Sequence, residues 1–202
     1  MRIYGLIAGI AGWVALLEQY FAVDRYDSLA LTINFFSYFS TLSNIMAALV
    51  MTSAAFQKAD RRFWLTKPFA ATAVALYIGV TGLPFIIESL WAGFGLQNIA
   101  DFRLHYVTPS LYLLFWALFV PEGKLQVRDV FLWLIIPSVF GIYALVHGLL
   151  TGFYPLLFLD LRVWSFPHVL ASMGLMLVVL LTLGGLLLLL DHLLGWLRLG
   201  PQ

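Results

Sequence analysis

Asn34-Phe35-Phe36-Ser37-Tyr38-Phe39-Ser40-Thr41-Leu42-Ser43-Asn44 lies inside an apolar segment, 29–54, that is long enough to cross a bilayer yet studded with hydroxyls and amides. A helix in hydrocarbon is most stable when it is apolar all round, so polar groups at that depth imply helix-to-helix hydrogen bonds or a reaction site. At about 100° per residue, Asn34, Ser37, Thr41 and Asn44 fall within roughly 80° of one another, Ser40 lies at the edge and Ser43 points away. The pattern predicts one continuous helix with an inward polar face. If that face only joins helices, each hydrogen bond contributes on the order of 0.6 kcal/mol.

The rest of the chain sets this segment in a membrane. Of its 202 residues 62% are hydrophobic and 10% charged, with a mean hydropathy of +0.95, which leaves too little charge to wet the surface of a soluble domain. Apolar stretches at 3–22, 29–54, 68–92, 98–120, 128–150 and 166–190 each approach the roughly 20 residues that span about 30 Å of hydrocarbon. The expected fold is therefore all-α: one six-helix transmembrane domain over 1–202, with both ends of most spans joined by short loops. The first stretch could pass for a signal peptide, but no Ala-x-Ala cleavage pattern follows and the run continues to Glu18, so it reads as the first span. A net charge of +1 gives no support for nucleic-acid binding, and the absence of cysteine removes disulfides, thiolate metal sites and cysteine nucleophiles.

Lys58, Arg61, Arg62, Lys67, Lys124, Arg128, Arg2 and Arg198 fall on one side of this topology, against Arg25, Arg103 and Arg162 on the other. The asymmetry predicts both termini in the cytoplasm. Trp64, Trp91, Trp164 and Trp196 sit at span ends, where amphipathic rings favour the interface. Pro84, Pro109 and Pro137 lie within spans and predict kinks that leave room for a cavity. Glu18, Glu88, His105, His147 and His168 all map to the outer half, near Asp101, Asp160 and Arg162 in the outer loops. Ionisable groups at that depth pair internally or face a water-filled pocket, so a polar cavity open outward is expected.

These residues allow a specific chemistry. A threonine hydroxyl attacks a carbonyl when a neutral imidazole takes its proton, and Thr41 with His105 can form that pair. Glu18, Glu88 or an amide would orient the imidazole, and Asn34 or Asn44 would donate to the oxyanion. Counted from the span starts, Thr41 lies roughly 18 Å deep while His105 is only about seven residues in, so a tilt, a kink or an earlier helix start must bring them together. A metal centre is the rival: His105, His147, His168, Glu18, Glu88 and Asp160 are ligand types that suit zinc, although no compact pair such as His-x-x-x-His is present.

Three elements in order, Tyr38-Phe39-Ser40-Thr41-Leu42-Ser43-Asn44, Leu104-His105-Tyr106-Val107-Thr108-Pro109, and Thr151-Gly152-Phe153-Tyr154-Pro155 leading to Phe158-Leu159-Asp160, resemble a bacterial six-span membrane family with recurrent prolines. That family is similar in turn to the eukaryotic androgen-induced membrane hydrolases. The resemblance implies an intramembrane threonine hydrolase of fatty-acid esters of hydroxy fatty acids, in the bacterial inner membrane, with Thr41 as nucleophile and His105 as base. His147, just ahead of the Thr-Gly-aromatic-Tyr-Pro element, matches a family histidine.

The expectation is a lipid-ester hydrolase with catalytic Thr41 and His105, supported by Asn34, Ser37, Asn44, Glu18, Glu88, His147 and His168. It takes no metal or cofactor, and its partners are membrane lipids and the ester itself. The alternatives are a non-catalytic protein that binds or transports lipid or solute, and a metal-dependent membrane hydrolase.

Overall fold

The computed structural model describes residues 1–23, 29–58, 63–92 and 99–199, with backbone alone at 23, 84–92 and 199. Arg25, Arg61, Arg62 and the side chains of Pro84, Glu88 and Trp91 lie outside the described residues. The chain is all-helical: α1 (Arg2–Val23), α2 (Leu29–Phe36), α3 (Phe39–Phe56), α4 (Pro68–Ala92), α5 (Ile99–Phe102), α6 (Thr108–Phe119), α7 (Val127–Trp133), α8 (Ile135–Thr151) and α9 (Phe166–Leu199). Helix satisfies every backbone group within the segment, which is what a chain this apolar needs where water is absent. Among the described residues, four stretches are long and apolar enough to cross a membrane: Arg2–Ala22, Phe39–Phe56, Val127–Thr151 and Phe166–Arg198. Pro68–Leu83 is a shorter apolar helix. These are the helices of a membrane protein, and their large exposed residues, Ile10, Val139, Ile142, Leu175 and Leu189 among them, suit contact with lipid tails.

Glycine sets the closest helix pair. A Cβ on Gly5 would fall 2.6 Å from the Met51 carbonyl oxygen, on Gly9 2.7 Å from Thr52 Oγ1, and on Gly12 3.3 Å from Ala48 Cβ. The small residues on α1 thus let its backbone touch α3 directly, as small-residue ladders do between membrane helices. Trp13 Nε1 then donates to Thr52 Oγ1 at 3.1 Å across the seam. Gly5→Ala is expected to lower stability by about 2 kcal/mol, because backbone on both sides must give way. Gly79→Ala in α4 meets nothing within 4 Å, and is expected to gain about 0.5–1 kcal/mol from better helix propensity. Thermal unfolding of both variants in detergent checks the pair; equal midpoints would refute the close seam.

At the centre lies α4, buried without interruption from Ala70 to Ile78. Aromatic side chains tie neighbours to it through their polar tips, a common solution where ring area is buried but the O–H or N–H needs a partner. Tyr112 Oη donates to the Ala71 carbonyl at 2.8 Å, Trp116 Nε1 to Thr72 Oγ1 at 2.8 Å, Trp133 Nε1 to the Phe69 carbonyl at 3.1 Å, and Tyr77 Oη to the Trp133 carbonyl at 2.7 Å.

The segment 29–54 is two helices rather than the continuous one its pattern predicts. The helix stops at Phe36 and restarts at Phe39, with Tyr38 extended at φ −85° and ψ 132°. Ser37 Oγ donates to the Ile33 carbonyl at 2.7 Å and lies 2.6 Å from Tyr143 Oη. Those bonds hold the end of α2 towards α8 while α3 sets off along α1. A second irregularity falls at Arg103–Val107, one wide π turn between α5 and α6 in which the Thr108 amide bonds back to the Arg103 carbonyl. Such turns insert one residue and re-aim side chains, and they concentrate at functional sites.

α9 is 34 residues long, continuing well past the expected end at 190. Its final turns hold the 120–126 loop. Asp191, fully buried, accepts from the backbone N–H of Glu122 at 3.1 Å and of Leu125 at 3.4 Å, and His192 Nε2 lies 3.0 Å from the Leu125 carbonyl.

Candidate functional site

The break before α3 decides what Thr41 can do. Serine and threonine in a helix usually bond back to the carbonyl three or four residues earlier, as Ser43 does to Ser40 at 3.0 Å and Thr52 to Ala48 at 2.6 Å. Thr41 is the third residue of α3, and the residue four before it, Ser37, lies outside the helix. Its hydroxyl makes no hydrogen bond among the described residues, although the side chain is only 2% exposed. It faces a cavity of about 810 Å³. The first-turn amides of Phe39, Ser40 and Thr41 have no acceptor within the helix, and Tyr38 provides no side-chain cap. A row of free N–H groups therefore accompanies the hydroxyl.

His105 lines the same cavity from the π turn and is buried. Its Nδ1 lies 3.0 Å from Asp101 Oδ1 and 3.1 Å from the Asp101 carbonyl oxygen. Both neighbours are acceptors, so Nδ1 carries a proton towards Asp101. Asp101, one helical turn back, is thereby the residue that holds the imidazole. The expected orienter Glu18 instead forms an ion pair with Arg103, which anchors the end of α1 to the π turn. Thr41 stands at the start of a helix instead of in the middle of a long one, and it lines the same cavity as His105.

The other expected supports are elsewhere. Asn34 Oδ1 lies 3.4 Å from His147 Nε2, and the His147 ring stacks on Tyr143 with centroids 5.5 Å apart. Ser37 is committed to Ile33 and Tyr143 as described. Asn44 donates Nδ2 to the Ser40 carbonyl at 2.8 Å, so neither asparagine is placed as an oxyanion donor. His168 is exposed and stacks on Trp164 at 4.3 Å. The Glu88 side chain lies outside the described residues. Among the described residues no three His, Asp or Glu side chains gather as a metal site would require. Sequence reasoning missed Gln19, which also lines the cavity and whose Oε1 is buried with no partner among the described residues. Besides Gln19, Ser40, Thr41, Asp101 and His105, the polar residues of the cavity lining are Tyr38, Thr81 and Ser138, and most of the rest is apolar, including Phe140 and Ile142 of α8 and Met173, Met176 and Leu180 of α9. The expected polar cavity is thus a mainly apolar one with polar groups in its lining.

No protein-family model matches the chain, and no curated protein and no solved structure is significantly similar to it. The site's chemistry rests on its own geometry.

The floor of the cavity is the 152–160 loop, which supplies Pro155 to Leu159. Gly152 ends α8 in the left-handed conformation at φ 75°, and Thr151 Oγ1 accepts the Phe153 N–H at 3.2 Å while donating to the His147 carbonyl at 2.8 Å. Tyr154 folds against Gly148, where a Cβ would meet the ring at 2.2 Å, and the Arg162 guanidinium lies 5.2 Å from the Tyr154 centroid. Arg162 also forks onto Asp160, Nε to Oδ1 at 2.9 Å and Nη2 to Oδ2 at 2.7 Å. The hydrogen-bonded guanidinium holds the Asp160 carboxyl below its ordinary value. A depressed value in the folded state contributes stability above the ordinary carboxylate range, and that contribution is lost as pH falls through the depressed value. Protection of the 153–165 amides, taken against the intrinsic exchange rate at each pH, is expected to fall below about pH 4, while α3 and α4 stay protected; unchanged protection of the loop down to pH 2 would contradict the pairing.

Proposed function

We propose that the chain is a six-span intramembrane hydrolase of lipid esters in the bacterial inner membrane, with both termini in the cytoplasm, Thr41 as nucleophile and His105 as base. One observation carries the reading: an unengaged threonine hydroxyl and a carboxylate-held imidazole line one mainly apolar cavity. Thr41 Oγ1 attacks the ester carbonyl carbon as its proton passes to His105 Nε2, and the carbonyl oxygen becomes an oxyanion. The free amides at the start of α3 are suited to hold that charge, since a helix N-terminus carries partial positive charge. Collapse returns the proton from Nε2 to the departing alkoxide, which leaves as the alcohol with the acyl group on Thr41. A water molecule, deprotonated by the same nitrogen, then attacks the acyl carbon, and the proton passes from Nε2 to Thr41 Oγ1 as the C–Oγ1 bond breaks and the carboxylic acid leaves. Asp101 keeps Nδ1 protonated and stabilises the imidazolium through both half-reactions.

The apolar wall favours a long-chain acyl group, and the order of the Thr41, His105 and Thr151–Pro155 elements favours an ester of a hydroxy fatty acid. The experiment is hydrolysis of such an ester by purified protein in detergent, with Thr41→Ala and His105→Ala alongside. Each variant is expected to lose about 10³-fold or more in kcat while eluting as a folded species, and a chelator is expected to change nothing. Loss of activity with chelator alone would shift the reading to a metal-dependent hydrolase. Binding without turnover in the unmodified protein would make it a lipid-binding or transport protein.

A further inference from the structure

We infer that the cavity receives a single acyl chain directly from the bilayer, through a lateral opening between α8 and α9, while the remainder of the lipid stays in the membrane. The inference rests on the ester-hydrolase reading for what happens to the chain, but on separate observations for how it enters. Ile142 of α8 lines the cavity and is also 60% exposed, so the cavity wall and the outer apolar surface are continuous there. Among the described residues, the backbone of α8 runs closest to that of α7, and side chains such as Tyr143, on Ser37, and Phe140, on Phe39, carry its contacts to the end of α2 and to α3. Between α8 and α9 the contact is made by side chains: Gly141 faces the Met173 methyl, which a Cβ would meet at 3.4 Å. Methionine is unbranched and has three rotatable bonds, so Met173 can swing aside without disturbing either helix.

The size of the space limits the occupant. At about 810 Å³ the cavity is within the usual range of small-ligand pockets, and one acyl chain of roughly 16–18 carbons with its ester fits it. No charged side chain lines the α8–α9 part of the wall, so an ionic headgroup has no partner there. The occupant is therefore one arm of a lipid ester, carbonyl towards Thr41 and chain towards Met176 and Leu180.

The test uses the full-length protein in phosphatidylcholine vesicles containing a trace of a palmitoyl ester with a diazirine at the chain end, photolysed and mapped by peptide mass spectrometry. Adducts are expected on Met173, Met176 and Leu177, equally in wild type and Thr41→Ala. Gly141→Leu from one wall and Met176→Trp from the other are each expected to reduce the remaining internal adducts at least tenfold, leaving outward-facing Leu186 and Leu189 labelled as before. Gly141→Ala, at ordinary contact distance, is expected to label like wild type. Two variants from opposite walls keep the test valid if one of them does not fold. Labelling confined to Leu186 and Leu189, or internal labelling unmoved by both filling variants, would overturn the inference. Internal labelling in a protein that hydrolyses no ester would support it while removing the hydrolase reading.

Discussion

Asp101→Asn is expected to lower kcat for ester hydrolysis by about 10²–10⁴-fold, with little change in KM. The carboxylate is the group that fixes the His105 tautomer, at 3.0 Å from Nδ1. An amide at the same place can present its N–H₂ to the ring, which moves the ring proton to Nε2 and removes the proposed base. Because the acyl-binding wall is untouched, substrate affinity should survive. A purely structural role for Asp101 would instead show as lower thermal stability with kcat reduced only in step with the folded fraction. Activity of Asp101→Asn within about twofold of wild type would leave His105 without its proposed orienter.

The second large effect is far from the cavity. Asp191→Ala is expected to destabilise the protein by about 3 kcal/mol, since the buried N–H groups of Glu122 and Leu125 would lose their acceptor. Gly195→Val is expected to cost at least as much, because a Cβ there would lie 2.5 Å from the Gly123 nitrogen and backbone has nowhere to go. Gly123 itself holds φ 70°, so the loop cannot relax without leaving the conformation that glycine allows. Arg198→Ala on the same turn of α9 is the contrast: it removes bonds to the Pro121 and Ala117 carbonyls from an exposed side chain, and is expected to cost under about 1 kcal/mol. Unfolding midpoints in detergent order the three variants. A mild Asp191→Ala would show that the loop N–H groups find water.

The helical class was legible because it follows from composition: so apolar a chain must satisfy its backbone within helices. Thr41 and His105 were legible as residue types, a hydroxyl on an apolar segment and an imidazole beside a proline. What joins them was not. The break at Ser37 and Tyr38 has no glycine or proline to mark it, because its cause is a tertiary bond from Ser37 to Tyr143 106 residues later. That single break invalidated the helical projection, which had grouped Asn34, Ser37, Thr41 and Asn44, and sent three of the four to other partners. Asp101 was assigned to a loop, yet its spacing of four residues from His105 is a helical pairing signal that a helix starting at Ile99 makes effective. Gly5, Gly9 and Gly12 also stand at helical spacing, a ladder hidden by the resemblance of the run to a leader sequence. Asp191 fell outside the last expected span, where a lone carboxylate in a leucine-rich run was the available sign of a buried acceptor.

The central claim is a covalent acyl intermediate on Thr41. Protein mixed with the hydroxy-fatty-acid ester, quenched in acid within the first turnover and mapped by peptide mass spectrometry, reports it directly. The account predicts an added acyl mass on the peptide carrying Thr41, absent from Thr41→Ala and His105→Ala. Steady turnover with no acyl mass on that peptide, retained in Thr41→Ala, would contradict it.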